Sequence, residues 1–93
     1  MKYEIIVELE AQNNLQTIYS YISMQDSKTK AQTFITELYS SIKSLEEMPF
    51  RCRNTLYSDD KDTKDLIYKG YTIVFKVIDN KVHILSIFRQ RTY

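Results

Sequence analysis

The stretch that decides the fold is residues 66–93, LIYKGYTIVFKVIDNKVHILSIFRQRTY. From residue 71 apolar and polar side chains alternate, as they do in a half-buried strand. Four apolar side chains share one face of this strand: Tyr71, Ile73, Phe75 and Val77. Asp79 and Asn80 both tolerate positive φ, which suits the two-residue turn of a hairpin. The pattern therefore predicts a return strand over residues 81–88.

The N-terminal half predicts one strand followed by two helices. Residues 2–7 are rich in β-branched side chains and are expected to form a strand. Over residues 8–24 apolar side chains recur at helical spacing: Ala11, Leu15, Ile18, Tyr19 and Ile22. A second stripe lies within residues 27–47: Ala31, Phe34, Ile35, Leu38, Ile42 and Leu45. We interpret both stripes as core-packing faces.

The connection between these helices is two or three residues long, so they are expected to form an antiparallel hairpin. Asp26 or Ser27 suits the N-cap of the second helix. Pro49 cannot continue a helix and is expected to end the second one at the preceding residue.

Residues 50–65 are the least regular part of the chain. A short strand is expected within residues 53–57, followed by a charged, exposed loop over residues 58–64. Another short strand, residues 65–69, would then turn at Gly70 and lead into the alternating stretch. Together these elements predict an α+β domain. It has an N-terminal strand, an antiparallel helical hairpin and a mostly antiparallel sheet of three to four strands.

Length and composition indicate a single soluble domain over residues 1–93. The apolar share of 43% is ordinary for a globular protein, and 27% charged residues with one Gly and one Pro leave no linker. The first apolar run, at Ile5, is too short for a signal peptide or a membrane span. Cys52 is the only cysteine, so no internal disulfide is expected, as suits a cytoplasmic protein.

The charge is unevenly distributed along the chain. The net charge is +1, but residues 1–50 carry four Lys and seven acidic residues, a net −3. Residues 51–93 carry nine Lys or Arg and five acidic residues, a net +4. This asymmetry predicts a basic working surface on the C-terminal half. A near-neutral total argues against a protein that coats nucleic acid.

Strong catalytic and cofactor signatures are absent from the sequence. It has no phosphate-binding glycine loop, no HExxH zinc motif and no paired cysteines, so neither a cofactor nor a metal is expected. A cysteine–histidine nucleophile would have to use Cys52 and His83. We interpret His83 instead as a side chain on a half-buried strand face.

Cationic and aromatic side chains remain as candidates for function: Arg51, Arg53, Lys69, Arg89, Arg91 and Tyr93. Arg89 and Arg91 lie one strand period apart, so they are expected to share a face. Guanidinium groups bind phosphate or carboxylate through two parallel hydrogen bonds, and tyrosine stacks on bases or fills interface pockets. The alternative to a functional cluster is that these side chains form an ordinary solvated strand end.

The assembled pattern resembles the RelE/ParE superfamily of bacterial toxins from type II toxin–antitoxin systems, over essentially the whole chain. The first helix matches at Ala11, Leu15, Ile18, Tyr21 and Ile22, and the second at Ala31, Phe34, Leu38, Ile42, Leu45 and Pro49. The Arg51 and Arg53 segment follows. The strands match at Leu66, Tyr71, Ile73, Phe75, Val77, Val82, Ile84, Leu85, Ile87 and Arg91.

The resemblance implies a small toxin that a co-expressed antitoxin neutralises by laying an extended or helical segment across it. It also implies a role in plasmid stabilization. One branch of the family, RelE-like, enters the ribosome and cleaves mRNA, using basic residues with Tyr or His. For this branch the candidate catalytic residues are Lys69, Arg89, Arg91 and Tyr93. The other branch, ParE-like, inhibits DNA gyrase by binding and has no recognised catalytic residues.

Two departures favour the ParE-like branch. RelE-like nucleases are usually strongly basic, as binding among ribosomal phosphates requires, whereas this chain is near neutral. The arginine that family members commonly carry after the central-strand tyrosine is replaced by Thr72. We therefore expect a gyrase-binding toxin, with Arg51, Arg53, Arg89, Arg91 and Tyr93 as target-binding candidates. The alternatives are a ribosome-dependent mRNA endonuclease and a non-toxic partner-binding module of the same fold.

Overall fold

The computed structural model describes residues 2–47, 49–55 and 62–89, without the side chains of Arg51 and Arg53. Its elements are β1 (Glu4–Val7), α1 (Leu9–Gln25), α2 (Lys28–Lys43), β2 (Arg53–Asn54), β3 (Thr63–Tyr68), β4 (Tyr71–Ile78) and β5 (Lys81–Arg89). Two short 3-10 turns, Ser44–Glu46 and Pro49–Arg51, follow α2. The predicted α+β class with its helical hairpin is confirmed.

The strands form one mixed sheet in the order β1-β5-β4-β3-β2. β1 is parallel to β5, and the other neighbours are antiparallel. The predicted hairpin of residues 71–88 is therefore the centre of the sheet, where β4 and β5 each have two neighbours. β1 and β2 are the edge strands. No helix in the described part of the chain is long and apolar enough to cross a membrane.

The core lies between the helical hairpin and one face of the sheet. Both predicted helical stripes are buried, at Ala11, Leu15 and Ile18 on α1 and at Ala31, Leu38 and Ile42 on α2. They meet the side chains of β4 and β5 that face them: Ile73, Phe75, Val82, Ile84 and Ile87. The predicted alternation of β4 is confirmed, since Tyr71 and Val77 also pack against this cluster.

The start of α2 was predicted correctly, but its end was not. The Ser27 hydroxyl caps the helix by accepting a hydrogen bond from the backbone N–H of Lys30 at 3.1 Å. The α-helix ends at Lys43, before the predicted end near Pro49. The reason is a tightening into a 3-10 turn, in which Ser44 Oγ donates to the Ser41 carbonyl at 2.6 Å.

The strands of the irregular segment differ in their bounds from the prediction. The prediction of a loop over residues 58–64 is wrong for Thr63 and Lys64, which pair with β4 in β3. Residues 58–61 of that loop lie outside the described part of the chain. The predicted strand at residues 53–57 is present as the two residues of β2, and residues 56–57 are not described. Lys69 belongs to the turn after β3, with φ 45°.

An additional residue in β5 sets the direction of its last side chains. Ile84 faces Phe75 on β4 while Ser86 faces Val74, so Leu85 forms a bulge. After this bulge Ile87 lies on the helix-facing side of the sheet, where it is 2% exposed. Side chains two residues apart on a strand share a face. Arg89 therefore projects on the same side as α1.

Candidate functional site

Two of the predicted basic residues lie at the same end of the sheet. Lys69 is in the β3–β4 turn, which the facing pair Tyr68 and Tyr71 closes. Tyr71 in turn faces Arg89, the last residue of β5. We call Tyr68, Lys69, Tyr71 and Arg89 the basic end. Phe34 of α2 contacts both tyrosines, with ring centroids 5.8 and 5.3 Å apart, and so connects this end to the helical layer.

The other predicted residues are not gathered there. Arg51 ends a 3-10 turn and Arg53 begins β2, at an edge of the sheet. β3 and β4 lie between β2 and β5, which separates the backbone of Arg53 from β5 by about 14 Å, three strand spacings. Arg91 and Tyr93 lie outside the described residues, and their participation stays a prediction.

Lys69 forms an ion pair with an acidic residue that the sequence reasoning missed. Glu37 of α2 accepts a hydrogen bond from the Tyr68 hydroxyl at 2.6 Å and from Lys69 Nζ at 3.0 Å. The hydrogen bond from Tyr68, followed by the hydrogen bond and charge of Lys69, holds the pKa of Glu37 below its usual value. The hydrogen bond to Glu37 raises the pKa values of Lys69 and Tyr68. Lys69 therefore stays protonated and paired at neutral pH.

Thr72, which follows the central-strand tyrosine, has a side chain that is closed to solvent. Its side chain is 0% exposed, and its hydroxyl has no hydrogen-bond partner among residues 2–47, 49–55 and 62–89. Val74, two residues along the same face, is 8% exposed. The hydroxyl of Thr72 is therefore not accessible to a phosphate in solution.

Arg89 borders a pocket of about 420 Å³ between α1 and the adjoining ends of β4 and β5. Ile18, Ile87 and Phe88 provide apolar walls, and α1 also contributes Tyr21, which is 53% exposed. The guanidinium of Arg89 makes no ion pair or hydrogen bond with any described residue. This pocket is a further feature that the sequence pattern did not predict, because it depends on how α1 crosses the sheet.

A second concavity, of about 540 Å³, lies between β1 and α2. Ile5 and Val7 line it from the strand, and Ile35 and Tyr39 line it from the helix. We call it the β1–α2 groove. It opens beside an edge strand of the sheet.

The open edge of β1 adds backbone groups to this groove. The N–H of Glu4 donates to the carbonyl of Asn80, just before β5, at 2.9 Å. The N–H of Glu8 donates to the carbonyl of Ile84, within β5, at 3.0 Å. Because a strand's backbone groups alternate in direction, those of Ile5 point the opposite way, out of the sheet. The edge thus offers a hydrogen-bonding surface beside an apolar one.

His83 lies beside an acidic residue of the segment between β1 and α1. His83 is half-buried on its strand, as predicted, and its Nδ1 lies 2.9 Å from Glu8 Oε1. Within the described ranges no three His, Cys, Asp or Glu side chains lie close enough together to hold a metal ion.

The chain resembles known toxins in both sequence and structure. A family model described as the ParE toxin of the type II toxin–antitoxin system, parDE, matches residues 5–92. A chain of the chromosomal ParDE toxin–antitoxin system from P. aeruginosa is 17% identical. It superposes with a TM-score of 0.84 over 97% of this chain and 98% of that chain.

A chain of the toxin–antitoxin complex RelBE2 from Mycobacterium tuberculosis has the same fold. It is 15% identical, with a TM-score of 0.70 over 97% of this chain and 100% of that chain. No curated protein matches the sequence significantly. At these identities the two solved structures establish a shared fold. The match to the family model is what shows that the chain belongs to the family.

Proposed function

Because this chain belongs to the ParE toxin family of type II toxin–antitoxin systems, we propose that it is a toxin that inhibits DNA gyrase by binding. In this proposal residues 1–93 form a single toxin domain that acts in the cytoplasm without a catalytic step. A cognate antitoxin neutralises it.

The observation that carries the choice of binding over cleavage is the burial of Thr72. A ribosome-dependent nuclease needs several cations free to contact phosphates and to stabilise a developing negative charge. Here the position after the central-strand tyrosine is an uncharged residue with 0% exposure. Lys69, another residue of the nuclease hypothesis, is paired with Glu37 at 3.0 Å. Both features leave the basic end poorly equipped for phosphate chemistry.

We place the gyrase-binding surface at Arg89 and extend it to Arg91 and Tyr93, which follow in the sequence. Arg89 is exposed and its guanidinium has no partner among the described residues, so that group can bind another protein. Arginine and tyrosine carry much of the binding energy in protein interfaces because they combine large apolar surfaces with directional hydrogen bonds.

The β1–α2 groove is our proposed docking site for the antitoxin. An extended antitoxin segment could pair with the open backbone of β1 and place alternate side chains against Ile35 and Tyr39. Edge strands in soluble proteins are usually protected by charge, proline or a covering element. The middle of β1 is Ile5 and Ile6, so a partner strand would supply the missing cover.

The experiment that tests the proposed function is plasmid supercoiling by purified gyrase, titrated with this protein. We expect inhibition at micromolar concentrations, weakened about tenfold or more by Arg89→Glu, since a reversed charge repels the surface that the arginine attracts. Lys28→Glu is the matched control, because it makes the same charge change at an exposed position at the start of α2. Unimpaired supercoiling at a micromolar excess of the wild-type protein would exclude the proposal.

A further inference from the structure

We infer that the pocket between α1 and the ends of β4 and β5 recognises an acidic segment of the target protein, in which a carboxylate pairs with Arg89 and a neighbouring large apolar side chain fills the pocket. This inference rests on the proposed function, because it describes how the toxin recognises its target. It adds a site on α1 that neither the family match nor the sequence pattern assigns.

The charge of the pocket selects an acidic partner. Arg89 is the cation among its eight lining residues, and none of the eight is acidic. Asn14 lies opposite on α1, where its side-chain oxygen accepts a hydrogen bond from the Ile87 N–H at 2.9 Å. Its amide group keeps its own N–H donors. A carboxylate entering between Arg89 and Asn14 would meet donors on both sides and no competing anion.

The walls of the pocket select an apolar neighbour for that carboxylate. Ile18 and Ile87 are almost completely buried and form its floor, whereas Tyr21 is half-exposed at its rim. Tyr71 completes the wall from β4. A volume of about 420 Å³ accommodates a leucine- or phenylalanine-sized side chain. Burying such a group removes apolar surface from water and adds ring contacts with the tyrosines.

The pocket is also held in shape by the fold. The hydrogen bond between Asn14 and the backbone of β5 fixes α1 against the strand. The contact of Phe34 with Tyr71, 5.3 Å between ring centroids, fixes the opposite wall. A preorganised pocket loses little conformational entropy when a ligand enters. These contacts favour binding of a specific side chain over nonspecific apolar association.

A nucleic acid is the competing ligand class, because a phosphate could also pair with Arg89 and a base could stack on tyrosine. Binding a backbone of phosphates requires several cations along a track. The pocket presents one guanidinium among mainly apolar walls. The observations therefore favour a protein segment, and an oligonucleotide serves as the contrasting probe.

The test is a peptide titration of the full-length protein, followed through the backbone amide NMR signals of Thr17, Tyr21 and Arg89. The probes are acetyl-Asp-Phe-Leu-Asp-amide, its counterpart with lysine in place of aspartate, and an eight-nucleotide oligothymidylate. We expect saturable shifts with the acidic peptide alone, weakening as salt is raised. Equal or tighter binding of the lysine peptide or the oligonucleotide would overturn the inference.

Variants on α1 provide a matched pair. Thr17 and Gln16 are both exposed, but only Thr17 lines the pocket. Thr17→Glu places a carboxylate at the rim and should weaken binding of the acidic peptide by about tenfold or more. Gln16→Glu adds the same charge outside the pocket and should leave binding unchanged. Equal binding by the two variants would show that the peptide binds elsewhere.

The same pair separates this inference from the proposed function. If the wild-type protein inhibits gyrase, Thr17→Glu should raise the concentration needed for inhibition about tenfold and Gln16→Glu should not. Inhibition that is unchanged by Thr17→Glu would remove the pocket from target recognition while gyrase inhibition stood. If the wild-type protein fails to inhibit gyrase, the proposed function falls, and the peptide titration still decides what the pocket binds.

Discussion

Glu37 is the residue that holds the β3–β4 turn against α2. Its Oε2 accepts from Tyr68 and from Lys69, whose backbone has the positive φ of 45° that the turn imposes. The next residue, Gly70, has φ 84°, which side-chain-bearing residues rarely adopt. A turn with two left-handed residues is anchored here by one carboxylate from the helical layer.

This anchor predicts an acid-sensitive contribution to stability. Since the folded protein lowers the pKa of Glu37, the stabilisation is complete above the unfolded value of 4.5 and disappears as pH falls through the folded value. Glu37→Gln should therefore lower the free energy of unfolding at pH 7, and the difference from wild type should shrink towards pH 3. Urea unfolding at both pH values measures it.

Tyr68→Phe is the companion variant for that measurement. It removes the hydrogen bond that does most to lower the pKa of Glu37, and it keeps the ring against Phe34. It should reduce the pH dependence without abolishing it, since Lys69 remains. A Glu37→Gln variant whose deficit is the same at both pH values would show that the carboxylate's charge contributes nothing.

Sequence reasoning placed Arg89 at the end of the return strand, but it did not find the partner of Lys69. The face on which Arg89 lies depends on the Leu85 bulge, which alternation alone does not predict. The partner of Lys69 could not be assigned, because Glu37 is 32 residues away and the two meet only through the packing of α2 on the sheet. For the same reason the burial of Thr72 on the face opposite the helices had no signal in its local sequence.

At the level of elements, α2 shows which signals are local. Its N-cap was predictable because Ser27 and the Lys30 N–H that it binds are three residues apart. Its stripe was predictable from periodicity. Its last turn depends on the hydrogen bond from the Ser44 hydroxyl to the Ser41 carbonyl. Helix ends often change to a 3-10 turn in this way, and sequence patterns do not locate the change to the residue. The Leu85 bulge and the pairing of β2 likewise depend on strand register, which the neighbouring strands determine.

The cap predicts a measurable cost at the start of α2. Ser27→Ala removes the acceptor for the Lys30 N–H and should lower the free energy of unfolding by about 1 kcal/mol, whereas Ser27→Asp keeps an acceptor and should be close to neutral. Chemical denaturation of both variants measures the difference. Equal stability of Ser27→Ala and wild type would mean that water satisfies the helix end as well as the hydroxyl does.

The β1–α2 groove predicts a toxin that escapes its antitoxin. Thr36 and Thr33 are both exposed on α2, and Thr36 lines the groove while Thr33 does not. Thr36→Glu places a charge where an apolar segment would dock, so toxicity should persist when the antitoxin is co-expressed. Thr33→Glu should be neutralised normally. Normal neutralisation of Thr36→Glu in growth assays would place the antitoxin elsewhere.

In the whole molecule, the two proposed binding surfaces are separate. The β1–α2 groove and the pocket between α1 and the ends of β4 and β5 share no lining residue. One uses an edge strand and α2, and the other uses α1 and the opposite pair of strand ends. Both sit on a sheet whose centre is the hairpin of β4 and β5. A toxin built this way can present one surface to its target and another to the protein that restrains it.

We propose that this toxin acts by occupying gyrase and not by catalytic turnover. Supercoiling measured while this protein is titrated at two gyrase concentrations tests it most directly. Inhibition by binding requires at least one toxin for each gyrase subunit that it blocks, so the half-inhibitory amount should rise with the gyrase concentration once binding is tight. Full supercoiling at micromolar excess, with mRNA cleaved when the same protein is added to a translation extract, would contradict the account.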